Sequence, residues 1–93
     1  MFMTVSHWDA PNLSDDMVAQ AEAKFMPMIM QTGAEQAFTV QTDEKAMMVV
    51  IHFPDAETGQ SALPKISQIR ETAAEEFGMT MQMAAAGTVR AHR

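Results

Sequence analysis

Ala46-Met47-Met48-Val49-Val50-Ile51-His52-Phe53-Pro54-Asp55 constrains the architecture more than any other part of the chain. Seven of its first eight residues are apolar. The run is too short for a free-standing helix and has no polar side of its own, so it reads as a strand covered on both faces. Pro54 closes it, and Asp55 follows as the N-cap of a helix. Such a strand needs a layer above and a layer below. The chain's own helices can supply one layer, and the other has to come from elsewhere.

Upstream, Gln36 to Thr42 alternates and reads as a strand joined to the central one through the short polar link Asp43-Glu44-Lys45, giving a hairpin. Before it, Met17, Val18, Ala21, Phe25, Met28 and Ile29 recur at helical spacing behind the N-cap Ser14, with Asp15 and Asp16 in the first turn. Pro27 either kinks this helix or ends it near Phe25, and Gly33 is the expected stop. The chain opens with an alternating strand, Phe2 to Trp8, that runs into the turn cluster Asp9-Ala10-Pro11-Asn12. Downstream, Leu63, Ile66, Ile69 (or Arg70), Ala73 and Phe77 follow helical spacing to the stop at Gly78. Gly59 weakens the start of that segment, and Pro64 either kinks the helix or begins it. Met79, Met81, Met83 and Ala85 alternate in a fourth strand, with a bulge or bend expected at Gly87.

Ninety-three residues make a single domain, 1–93. The chain has no cysteine, so neither a disulfide nor a thiolate metal site exists. Twelve acidic against six basic side chains give a net charge of −6, which argues against nucleic acid and anionic membrane as partners. No signal sequence or membrane span is read, and the cytoplasm is the expected location. Eleven methionines suit irregular core gaps and adaptable binding surfaces.

The order strand, helix, strand, strand, helix, strand, with right-handed crossovers and a central hairpin, predicts an α+β fold. It is the ferredoxin-like βαββαβ arrangement, with an antiparallel sheet of order 4-1-3-2 and both helices on one face. Parity then assigns Met3, Val5, His7, Phe38, Val40, Met81 and Met83 to the helix side with Met47, Val49, Ile51 and Phe53. The second face receives Phe2, Thr4, Ser6, Trp8, Met48, Val50 and His52. That face is too apolar to stand in water, and its simplest cover is a second copy, sheet against sheet, in a homodimer.

The βαββαβ order over the whole chain, the buried third strand and the Phe53-Pro54-Asp55-Ala56 turn into the second helix resemble the dimeric α/β-barrel superfamily. Its members include the antibiotic-biosynthesis monooxygenase-like domains. The resemblance implies pairing through the sheets and a small ligand held between sheet and helices in each subunit. It also implies a range of activities, among them cofactor-independent oxidation of polycyclic aromatics and haem degradation. Haem-degrading members use an Asn, a Trp and a His. Asn12, Trp8 and His7 are present here but crowd one strand end, so those roles are not carried over.

The residues themselves offer few chemical candidates. His7, expected on the helix side near a pocket mouth, has the pKa range of a general base; the plain alternative is a histidine bonded to a loop acceptor. Asn12, Phe25, Phe38, Met81 and Met83 are the expected ligand contacts, with capping as the alternative for Asn12. In the antiparallel pairing of the first and third strands His7 is expected beside Met47 and His52 beside Phe2, on opposite faces and roughly 16 Å apart, so no metal site is predicted, nor any cofactor. No Gly-x-Ser-x-Gly, phosphate-loop or dinucleotide glycine pattern occurs. The leading expectation is a homodimeric domain that binds a small apolar or aromatic ligand. The alternatives are a cofactor-independent monooxygenase and an interaction protein with a filled interior. Cavity volume separates the last from the others.

Overall fold

The computed structural model describes residues 1–93. Its elements are β1 (Phe2–Asp9), α1 (Asp15–Met30), β2 (Gln36–Asp43), β3 (Ala46–Phe53), α2 (Ala56–Phe77) and β4 (Thr80–Thr88). The four strands form one antiparallel sheet in the order β2-β3-β1-β4, the expected 4-1-3-2 arrangement counted from the other edge.

Both helices start where the sequence marks them. Ser14 Oγ accepts the backbone N–H of Met17 at 3.1 Å, and Asp55 Oδ1 accepts that of Thr58 at 2.7 Å. Each satisfies one of the amides that a helix start leaves unpaired. Neither proline ends its helix: α1 continues through Pro27, and α2 starts at Ala56 and continues through Pro64. Both prolines are exposed, as are Ala23 and Gln60 four residues earlier. The carbonyls they leave without an amide partner therefore lie on the watered side of each helix. α2 ends on Gly78 at φ 64°, the left-handed cap that glycine adopts without penalty. α1 is capped by Gln31 in ordinary helical geometry, and Gly33 takes its positive φ two residues later, in the turn to β2.

Phe25 and Ile29 of α1 and Ile66 and Ile69 of α2 pack on Phe2, Ile51 and Phe53 of the sheet to make the main core. A second cluster joins Trp8 and Met47 to Met17 and Ala10 at the start of α1. The rings of Phe25 and Phe77 meet edge to face at 5.9 Å and tie the helices to each other. The Lys24–Glu76 ion pair also spans them at 2.8 Å, but it is exposed and adds little.

The faces of three strands differ from the sequence expectation. In β1 the buried residues are Phe2, Thr4, Ser6 and Trp8, so the helix side carries these and not Met3, Val5 and His7. Phe2 and Trp8, expected at a dimer interface, are each only 4 % exposed beneath the helices. The register explains the reversal. Phe2 stands opposite Phe53 and Trp8 opposite Met47, one residue away from the expected pairing, and a one-residue slip exchanges the two faces of a strand. In β2 the exchange has a local cause. Asp43 pairs with Ala46, but Gln41 pairs with Met47, so Thr42 is an extra residue in the ladder. The Glu44-Lys45 turn has no residue at positive φ and so lacks the primed geometry that matches strand twist; the ladder absorbs the mismatch beside it. Beyond Thr42 the phase is inverted, which carries Phe38 and Val40 to the open face. β4 holds a similar irregularity at Gln82 rather than at Gly87: Trp8 pairs with Met81 and His7 with Met83. Met81 and Met83 therefore point to different sides.

Candidate functional site

A cleft opens between the two helices and the sheet. Its floor is Ser6 and Trp8 of β1 with Met47, Val49 and Ile51 of β3. Phe25 and Met26 of α1, Ile69, Arg70 and Phe77 of α2, and Met79 form its walls and rim. Thirteen of the 17 lining residues are hydrophobic, which suits the cleft to an apolar guest. The cleft is open to solvent and offers about 70 Å³ of accessible volume, below the roughly 300 Å³ at which small-molecule sites begin, so by volume alone the interior is closer to filled. As it stands the cleft admits a few waters, and a larger guest needs the flexible rim of Met26 and Met79 to give way.

The polar groups on this wall are few. Trp8 Nε1–H donates to Ser6 Oγ at 2.8 Å, two residues along the same strand. That bond satisfies the indole and lets a tryptophan face the interior. Ser6 is 1 % exposed, and its own hydroxyl proton meets no acceptor in the protein. Arg70 is half-buried and pairs with no carboxylate within 4.0 Å; burial lowers its pKa from the ordinary arginine value. Glu22, exposed on α1, is the only carboxylate on the lining. Next to the cleft, Thr4 Oγ1 is fully buried without a partner.

Of the expected ligand contacts, Phe25 alone lines this cleft. Phe38 is 45 % exposed on the open sheet face, its ring edge-to-face with His52 at 5.7 Å. Met81 and Met83 are 42 % and 46 % exposed and outside the lining. Asn12 lies at the foot of α2, where Nδ2 donates to the Phe77 carbonyl at 3.4 Å, a capping contact. His7 does not face the helices: it sits on the open face between Met48 and Met83. His52 shares that face, opposite Met3, so the two histidines lie on the same side, four residues apart along the β1–β3 ladder. No three His, Asp or Glu side chains converge anywhere in the molecule.

The open sheet face is itself apolar. Met3 and Val5 of β1, Met48 and Val50 of β3, Phe38 and Val40 of β2, and Met83 and Ala85 of β4 stand together on it, with the two histidines among them. The sequence reading missed Ser6 and Arg70 as site residues. Arg70 shared its position in the helical spacing with Ile69, and Ser6 was assigned to the other face. No helix is long and apolar enough to cross a membrane.

No family model matches the sequence, and no curated protein matches it significantly. Solved structures do resemble the chain in three dimensions. SnoaB, a cofactor-independent oxygenase from Streptomyces nogalater (solved as an asparagine-to-alanine mutant), superposes with a TM-score of 0.73 at 12 % identity, covering 98 % of this chain and 94 % of its own. A dimeric ferredoxin-like protein from an uncultured marine organism gives 0.67 at 12 %, covering 100 % and 98 %. The fold is theirs. A candidate antibiotic biosynthesis monooxygenase from Deinococcus radiodurans also shares it, with a TM-score of 0.65 at 13 % identity over 100 % of this chain and 96 % of that one. The agreement extends over whole chains, so the ferredoxin-like βαββαβ fold predicted from the order of elements is the fold found.

Proposed function

We propose that this chain acts in the cytoplasm as a homodimer joined through its open sheet faces, and that each subunit binds a small apolar or aromatic ligand between helices and sheet. The observation that carries the binding reading is the cleft bounded by Trp8, Phe25 and Phe77, apolar over most of its wall and continuous with solvent. The assembly reading rests on a second feature. Eight apolar side chains stand on one sheet face with no helix of this chain over them, and a two-fold axis lets the same patch serve both partners. The dimeric ferredoxin-like neighbours support it.

An oxygenase reading has the SnoaB likeness in its favour. A reaction that begins with proton removal needs a base within hydrogen-bond reach of the guest. Here His7 lies on the other side of the sheet, and Glu22 is the sole candidate base on the cleft wall. We therefore place ligand binding ahead of catalysis. The experiment is native mass spectrometry of protein purified gently from its source. A dimer with a defined additional mass supports both readings. A monomer at micromolar concentration refutes the assembly, and a dimer that takes up no aromatic guest at millimolar concentration refutes the binding site in favour of a filled, structural interior.

A further inference from the structure

We infer that the cleft between helices and sheet selects an apolar guest carrying a single anionic oxygen group, a carboxylate or an equivalent acidic oxygen, which Arg70 receives. This rests on the cleft being a binding site and adds the charge class of its ligand. The polar inventory of the lining leads there. The Trp8 indole N–H is spent on Ser6 Oγ, and because that oxygen accepts, the Ser6 hydroxyl is left as a buried donor with no protein acceptor. Arg70 is a donor only, half-buried and free of any carboxylate within 4.0 Å. An apolar wall with two unspent donors is complementary to an oxygen that accepts.

The surrounding charge sharpens the contrast. The protein carries a net charge of −6, so anions are repelled by the molecule as a whole and a preference for one must be local. Arg70 is the only cationic side chain on the lining: Lys24 is committed to Glu76, outside the cleft. Glu22, on the same lining, opposes an anion, but it is exposed on α1, where water screens it, whereas Arg70 is partly withdrawn from water. Holding a guanidinium there without a partner is unfavourable, and a carboxylate guest relieves that cost by a charge-assisted, two-point contact.

The test compares benzoate with benzamide, nearly the same shape and differing in charge. The chain has one tryptophan, so the indole N–H resonance of ¹⁵N-labelled protein reports the cleft floor directly. Benzoate is expected to bind more tightly than benzamide by about tenfold, the range of a charge-assisted contact. Arg70→Gln should abolish that preference by weakening benzoate far more than benzamide, and Arg70→Lys should retain part of it. Equal affinities in the unaltered protein, or a preference that survives Arg70→Gln, overturn the inference and leave cleft binding standing. If neither probe moves the Trp8 resonance, the cleft reading falls and this inference with it. Should Arg70→Gln fail to fold, salt decides on the unaltered chain: a benzoate preference that is undiminished by added sodium chloride overturns the role of Arg70.

Discussion

Replacing Gly59 by Ala sets two effects of opposite sign against each other. Gly59 lies in the first turns of α2, where alanine is intrinsically better by about 1 kcal/mol. Propensity alone therefore forecasts a more stable protein. The packing forecasts the reverse. A Cβ at Gly59 would overlap Cδ2 of Phe2 and stand 2.8 Å from both Cε2 and Cγ of the same ring, well inside ordinary carbon contact. The ring has little room to retreat: Phe2 is 4 % exposed and packs at 6.4 Å against Phe53, which is fully buried. Overpacking of this kind costs about 1–3 kcal/mol, and a clash with three ring atoms belongs near the top of that range. Subtracting the propensity gain leaves a net loss of about 1–2 kcal/mol, which for a domain of this size lowers Tm by roughly 5–15 °C. Thermal unfolding followed by circular dichroism measures it. Adding Phe2→Leu to the Gly59→Ala background should restore part of the loss, a coupling that two independent sites would not display. A Gly59→Ala protein that melts at or above the parent temperature would falsify the claim that α2 is seated on the Phe2 ring.

Two further outcomes follow from the sheet and from the cap of α2. Val50 stands on the open face between Val5 and Phe38, so Val50→Glu places a carboxylate from each copy in the proposed dimer layer. The uncompensated charges should cost several kcal/mol and leave a folded monomer in sedimentation at micromolar concentration; an intact dimer would refute the sheet-to-sheet arrangement. At the cap, the Thr58 backbone N–H, and secondly its hydroxyl, hold the Asp55 carboxyl below its ordinary value of 3.8. A depressed folded pKa gives stability that is present above 3.8 and is lost as pH falls through the folded value. The Tm advantage of the parent over Asp55→Asn should therefore be full at neutral pH and shrink on acidification below that point. An advantage independent of pH would mean that the charge contributes nothing.

The order of elements, the sheet order, both N-caps and the Gly78 stop were legible because each rests on local chemistry: an apolar run, a periodicity, a side chain able to accept an amide. Which way the strands face was less legible. β1 offers two plausible faces, one with Met3 and Val5, the other with Phe2 and Trp8 around Thr4 and Ser6. Apolarity alone favours the first set, but the Trp8-to-Ser6 bond, which no hydropathy pattern displays, lets both of those side chains face the interior. In β2 and β4 the decisive residues are Thr42 and Gln82, each adding one step to a ladder that strict alternation assumes to be regular. The turn next to Thr42 did carry a warning, since Glu44-Lys45 is poorly suited to a primed hairpin. Phe25 was found as a cleft residue because it belongs to a helix, whose phase needs no partner strand. Phe38 and His7 were misplaced because theirs does.

The far end of β4 has a consequence for how the chain can change over time. Ala84, Ala85 and Ala86 stand opposite Ser6, Val5 and Thr4, and Gly87 beyond them has nothing within 4 Å of where a side chain would begin. In most strands the loss of one codon sends every later side chain to the wrong surface. Here three identical residues in a row present the same methyl group to both surfaces, so removing one rewrites almost nothing before the strand ends. That segment is a place where the gene can gain or lose a residue cheaply, a sliding joint at the edge of the sheet.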